Sequence, residues 1–146
     1  DELYGIGCYG KITVFNETPD KRYLINLEGA NCFKIIREIE IEQKFRMCEI
    51  EIIDNFSENK LDEDLKVIIL DSFKKYKEIK KINVSLEDLS QLKILDLLKF
   101  IVMISPFDVN MKQMFLELKS NEELYENVLS SLQIELVSGQ ETNLIN

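Results

Sequence analysis

Glu38, Glu40 and Glu42 recur at every second residue, and so do Glu49 and Glu51. On an extended chain that period places each set on one face, where neighbouring carboxylates bind a cation or divide acid and base roles. A wet sheet face carries carboxylates in the same pattern, and that plainer reading is preferred. Serine chemistry needs an activating base. The chain has no histidine, which excludes Ser-His-Asp and Cys-His arrangements and removes the usual zinc ligand. A Ser-Lys dyad is the serine-nucleophile arrangement left. Ser72 stands beside Lys74 and Lys75, and Ser105 sits where a helix cap is needed; neither has a reason to be nucleophilic. Gly5-Ile6-Gly7-Cys8-Tyr9-Gly10 echoes a dinucleotide loop, but Lys11 to Phe15 reads as strand, not as the helix whose N-terminus would receive a phosphate. Those glycines read as a strand with bulges or tight contacts, and Gly29 as a second such mark. No phosphate loop of the G-x-x-x-x-G-K-[ST] form occurs. No catalytic, cofactor-binding or metal-binding residue is assigned, and the chain is expected not to be an enzyme.

What remains is surface for binding proteins or peptides, to which Tyr4, Tyr9 and Phe56 are candidate contributors. The formal net charge of -9 repels a phosphate backbone. Lys74, Lys75, Lys77, Lys80 and Lys81 cluster, but they fall at the end of an expected helix, where cations complement the dipole. Nucleic acid is therefore not an expected partner. The apolar run from Ile94 to Ile104 is interrupted by Asp96 and Lys99 and is too short to span a bilayer, so no membrane partner is expected. Cys8, Cys32 and Cys48 are far apart in sequence, without a C-x-x-C pair or a recognisable leader. They read as buried thiols of a cytoplasmic protein.

The elements that must position these residues change period midway. Residues 1–54 alternate as strands: Ile12 and Val14 on one face, then Tyr23, Ile25 and Leu27, then an extended run from Cys32 to Ile41, then Phe45 to Ile53. A turn is expected at Thr18-Pro19-Asp20-Lys21. Asn55 to Lys60 is a polar break. Residues 60–137 are helical, with helices expected at 61–80, 86–104 (breakable near Ser90), 106–118 and 121–137. The first carries an apolar stripe, an acidic first turn (Asp62, Glu63, Asp64) and lysines at its end. Leu89, Leu92, Leu95, Leu98 and Val102 form another stripe, and Leu124, Val128, Leu132 and Leu136 a third. Ser85 with Asp88, Ser105 with Asp108 and Ser120 with Glu123 read as capping boxes. Residues 138–146 are expected to be a frayed tail. Strands first and helices after make an α+β layout of a β unit followed by a four- to five-helix bundle.

Leu3-Tyr4-Gly5-Ile6-Gly7-Cys8, Gly10-Lys11-Ile12, Pro19 to Ile25, Leu27-Glu28-Gly29 and Phe33-Lys34-Ile35 resemble, in order, the N-terminal domain of Lon-type ATP-dependent proteases. Ile101 to Phe107, Lys112-Gln113, Leu116-Glu117 and Asn121 to Leu124 continue the resemblance almost to the end of the chain. Cys32 stands where the family usually has Arg. Lys21 stands where its turn often has Gly, which implies a different turn type. The resemblance implies a partial PUA-like β-barrel, carrying its later strands without the family's earlier ones, joined to a helical bundle. The first residue, Asp1, adds the expectation of a fragment or a processed product. The open strand edges are expected to pair with an earlier segment, another copy or a neighbouring molecule. The family's ATPase and Ser-Lys protease chemistry lies in other domains. The resemblance thus implies a small stand-alone protein that recognises unfolded or partner proteins without cleaving them. A structural or oligomerisation domain is the alternative, followed by a non-catalytic component of an ATP-dependent serine peptidase.

Overall fold

Two long strands begin the chain, and their turn chemistry explains why they pair. In the computed structural model, which describes residues 2–53 and 61–143 (side chains of the last helix through 138), β1 spans Ile6–Glu17 and β2 spans Tyr23–Ile39. The Lys21 N–H donates to the Thr18 carbonyl at 2.9 Å and the Thr18 N–H to the Arg22 carbonyl at 2.8 Å. The Arg22 guanidinium and the Thr18 hydroxyl both bond the Asp20 carboxylate and hold its pKa below the usual range, the Thr18 hydroxyl being the larger cause. Lys21 has φ 63°, the left-handed conformation that closes such hairpins after a β-turn. The backbone at Lys21 thus takes the conformation that glycine adopts most readily, with a lysine in it. An L-residue there costs about 1 kcal/mol. Lys21→Gly is therefore expected to raise unfolding stability of the hairpin by up to about 1 kcal/mol, measured by denaturant titration monitored on the β unit; a loss of stability would contradict the strain.

A third strand, β3 (Met47–Ile53), pairs antiparallel with β2, giving a sheet of order β1-β2-β3. The chain from Tyr23 to Ile39 is one continuous strand, not two. It stays continuous because bulges, rather than turns, absorb its irregularities. Register shifts fall between Tyr9 and Gly10, between Ile12 and Val14, and between Ile35 and Arg37. Gly29 lies beside the first of them, but the close approach belongs to its partner Gly10, where an added Cβ would lie 2.2 Å from the Glu28 carbonyl oxygen. Gly7 accommodates the ring of Phe33, which would lie 2.6 Å from a Cβ there. Gly7 and Gly10 thus serve close strand contacts, whereas a Cβ on Gly5 would meet nothing within 4 Å. Among the described residues of this unit, none is fully buried.

The helices form the second compact unit, residues 56–146, separate from residues 1–55. They are α1 Leu65–Ile79, α2 Leu86–Ser90, α3 Ile94–Ile104, α4 Val109–Glu117 and α5 Asn121–Asn143. The break at Asn55 to Lys60, including Phe56, lies outside the described residues. Ile69, Phe73 and Tyr76 of α1 are buried with Leu97, Leu98 and Ile101 of α3 and Val128 and Leu132 of α5. A run of rings, Phe73–Tyr76–Phe107–Phe115, with centroids 5.5 to 6.1 Å apart, crosses this core.

Caps explain the helix boundaries. The Ser85 hydroxyl accepts from the Asp88 N–H at 3.3 Å, and the Ser120 hydroxyl from the Glu123 N–H at 3.1 Å. The expected box at Ser105 is not made. Ser105 precedes Pro106, and a residue before proline favours extended backbone; it ends α3 with φ -68° and ψ 141°. Asp108 caps α4 instead, accepting from the Met111 N–H at 2.8 Å. The acidic turn expected in α1 also moves. Asp62, Glu63 and Asp64 precede that helix, and Glu63 reaches the Ile94 N–H at the start of α3 at 3.3 Å. The 86–104 helix breaks after Ser90, whose hydroxyl donates to the Glu87 carbonyl at 2.7 Å. The break rotates the second stripe, so Ile94, Leu97, Leu98 and Ile101 face the core and Leu92 and Leu95 only border it. α5 runs to Asn143, past the point where fraying was expected.

Candidate functional site

Exposed apolar side chains concentrate on the β1–β2 hairpin, and a bulge decides which of them share a face. Ile12 pairs with Leu27, and Val14, not Thr13, pairs with Asn26. Thr13 is therefore the extra residue, its hydroxyl donating to the Asn26 carbonyl at 3.4 Å. Strict alternation puts Ile12 with Val14; the bulge instead brings Phe15 back to the side of Ile12. The register then gathers Ile12, Phe15, Tyr23, Ile25 and Leu27 on one face. The rings of Phe15 and Tyr23 stack there with centroids 5.0 Å apart. These five are 61%, 58%, 60%, 44% and 75% exposed, in that order. The other face of the same stretch carries Val14, Asn16, Leu24 and Asn26 and is mixed in polarity. The difference between the faces leaves the first as a flat apolar strip beside a row of backbone groups at a sheet edge.

The other candidate residues are placed elsewhere. Tyr4 is half exposed and lines a shallow cleft of about 300 Å³ with Leu3, Gly5, Ile35, Glu38 and Arg46. Glu38 accepts both a 2.6 Å and a 2.7 Å bond from the Arg46 guanidinium. That pairing lowers the Glu38 pKa and raises that of Arg46. Glu38 is thus a fixed anion rather than a general base. Glu49 pairs with Arg37 at 2.6 Å, and Glu40, Glu42 and Glu51 are exposed. The described residues contain no group of three or more His, Cys, Asp or Glu arranged to hold a metal. The Tyr9 hydroxyl donates to Asn31, its neighbour across the strands, at 3.3 Å.

The serine and lysine candidates are also accounted for by structure. Ser72 is partly buried on α1, where Lys75 pairs with Asp71 at 2.6 Å. Lys77 donates to the Val84 carbonyl, and Lys80 pairs with Glu135 at 2.6 Å. The Glu135 bond raises the Lys80 pKa. Ser105 is buried, beside the ring-bearing core; its hydroxyl and that of Tyr76 make no hydrogen bond of good geometry. Burial raises the Tyr76 pKa, partly offset by the Ser105 hydroxyl. Among the described residues, no lysine is hydrogen-bonded to the Ser105 hydroxyl. No described helix is long and apolar enough to cross a membrane.

Sequence reading singled out Tyr4 and Tyr9 and missed the strip. The signal was present only as a run of β-branched and aromatic residues around the turn, because which of them align depends on the bulge at Thr13.

Residues 1–133 match the family model described as "ATP-dependent protease La (LON) substrate-binding domain". The crystal structure of a Lon N-terminal domain protein from Xanthomonas campestris superposes with a TM-score of 0.62 at 12% identity, covering 87% of this chain and 68% of that one. At that identity the match establishes the shared fold. No curated protein matches the chain.

Proposed function

The chain belongs to the Lon substrate-binding domain family, and on that premise we propose that it is a non-catalytic module that captures unfolded or partner polypeptides on the Ile12, Phe15, Tyr23, Ile25 and Leu27 face of its hairpin. One observation carries the reading: five large apolar side chains stand exposed together on one sheet face. An extended client gains in two ways there. Its apolar side chains leave water against the strip, each fully buried large side chain being worth about 1.5–3 kcal/mol. Its backbone adds as a strand along the β1 edge. Recognition of this kind reads hydrophobicity and extension rather than sequence, which is what an unfolded client offers.

The acidic charge supports a protein client over a nucleic acid, and the absence of any activated nucleophile among the described residues supports binding without cleavage. A cytoplasmic setting accords with three cysteines of which none is in a disulfide. A second reading, self-association through the open edges β1 and β3, is favoured by the sheet order, which leaves both of them unpaired within the described residues.

Sedimentation of the chain with labelled, unfolded casein tests the two together. Capture predicts a complex with casein and no casein fragments, with or without ATP. Self-association alone predicts larger species of the chain without casein in them, and fragment production would replace the binding reading with an enzymatic one.

A further inference from the structure

Cys8 and Cys32 stand directly opposite each other on β1 and β2. The Ile35 N–H donates to the Gly5 carbonyl at 2.8 Å, and this bond fixes the phase of the ladder. It brackets Ile6 and Lys34 as a pair without mutual hydrogen bonds, and the alternation makes Cys8 and Cys32 the next such pair. The register is unbroken from Ile6 to Tyr9, so no bulge intervenes. At positions of this type the Cα atoms lie about 4.5 Å apart and the side chains are at their closest. Disulfides bridge Cα separations of roughly 4.4–6.8 Å.

Neither cysteine is in a disulfide; Cys8 is exposed, its S–H donating to the Tyr9 carbonyl at 3.5 Å, and Cys32 is half-buried. The Cys8 sulfur leans along the strand, 3.5 Å from where a Cβ on Gly29 would be. No side chain at Gly29 crowds it, and rotation about χ1 turns it toward Cys32. Cys48 is excluded from this pairing by the pleat. It lies on the same strand as Ile53, the partner of Cys32, but at an odd spacing from it, and so on the opposite face, paired with Glu38.

We propose that Cys8 and Cys32 are a cross-strand dithiol that closes to an intramolecular disulfide by exchange with a small disulfide such as oxidised glutathione. The exposed Cys8 thiolate attacks one sulfur of the small disulfide; a mixed disulfide forms and one glutathione thiolate leaves. The Cys32 thiolate then attacks the Cys8 sulfur, the Cys8–Cys32 bond forms, and the second glutathione thiolate leaves. Two electrons pass from the cysteines to the small disulfide, and the two protons lost by the protein thiols are taken up by the two released glutathiones. The product ties β1 to β2 at the base of the hairpin that carries the apolar strip, and keeps their register when the rest of the hairpin opens.

The test is incubation of the full chain with oxidised glutathione, followed by intact mass and peptide mapping. The expected result is loss of two hydrogens with no glutathione retained, and a linked pair of peptides containing Cys8 and Cys32. Cys48→Ser closes in the same way, whereas Cys32→Ser retains glutathione on Cys8. Stable glutathione adducts on both Cys8 and Cys32 in the native chain, or linkage of either to Cys48, overturns the proposal.

Discussion

Replacing both Phe15 and Leu27 with threonine is expected to weaken binding of unfolded casein by about a hundredfold, from the loss of roughly 3 kcal/mol of apolar contact. The two positions are chosen for what they do not do in the free protein. At 58% and 75% exposed, they bury little within the unit and so contribute little to its stability. Threonine introduces the branched Cβ that a strand favours. Folding stability is therefore expected to change by less than about 1 kcal/mol, chiefly through the lost stacking of Phe15 on Tyr23. The comparison variant is Leu24→Thr on the opposite face, 56% exposed, which is expected to leave casein affinity within about threefold. Fluorescence anisotropy of labelled casein measures all three proteins. Equal loss from Leu24→Thr would mean that the capture surface is not the strip assigned to it.

Phe73→Ala is expected to destabilise the helical unit by about 3–5 kcal/mol, the range for a fully buried phenylalanine. Phe73 has no exposed surface, and its ring lies 6.1 Å from that of Tyr76, the first link in the chain of rings through Phe107 to Phe115. Truncation removes the transfer energy of the ring and leaves a cavity whose walls belong to separate helices, which cannot all close on it. Domains of this size hold about 5–15 kcal/mol in total, so a loss of that size lowers the melting temperature by more than about 10 °C. Val67→Ala on the same helix, at a side chain 70% exposed, is expected to change stability by less than about 0.5 kcal/mol. Thermal melting followed by helical circular dichroism checks both. A small effect of Phe73→Ala would mean that the ring chain is not continuous in solution.

The sheet and the helices differ in how much of them the sequence made legible, and the difference lies in the range of the interactions. Ser85 and Ser120 cap their helices as expected because a cap needs only a side chain and an N–H three residues on. The stripe of Leu124, Val128, Leu132 and Leu136 faces the core as read, because a helix carries its own period. Ser105 and Glu63 depart from expectation for different reasons: α4 starts three residues beyond Ser105, where Asp108 takes the cap, and Glu63 serves the start of α3, thirty-one residues away, which local sequence does not contain.

The sequence by itself determined the order of strands before helices, the place of the hairpin turn, the helix starts at Ser85 and Ser120 and the family, because each rests on contacts between near neighbours or on motifs in fixed order. It also determined that histidine-dependent catalysis is excluded. The tertiary structure alone decided the face on which apolar residues gather and the partner each cysteine meets. Both depend on register between strands, and a single extra residue, such as Thr13, moves every later side chain on its strand to the other side. For this reason Ile12 and Phe15, three apart in sequence, share a face, and Cys8 meets Cys32 across the sheet while Cys48 lies on its far side.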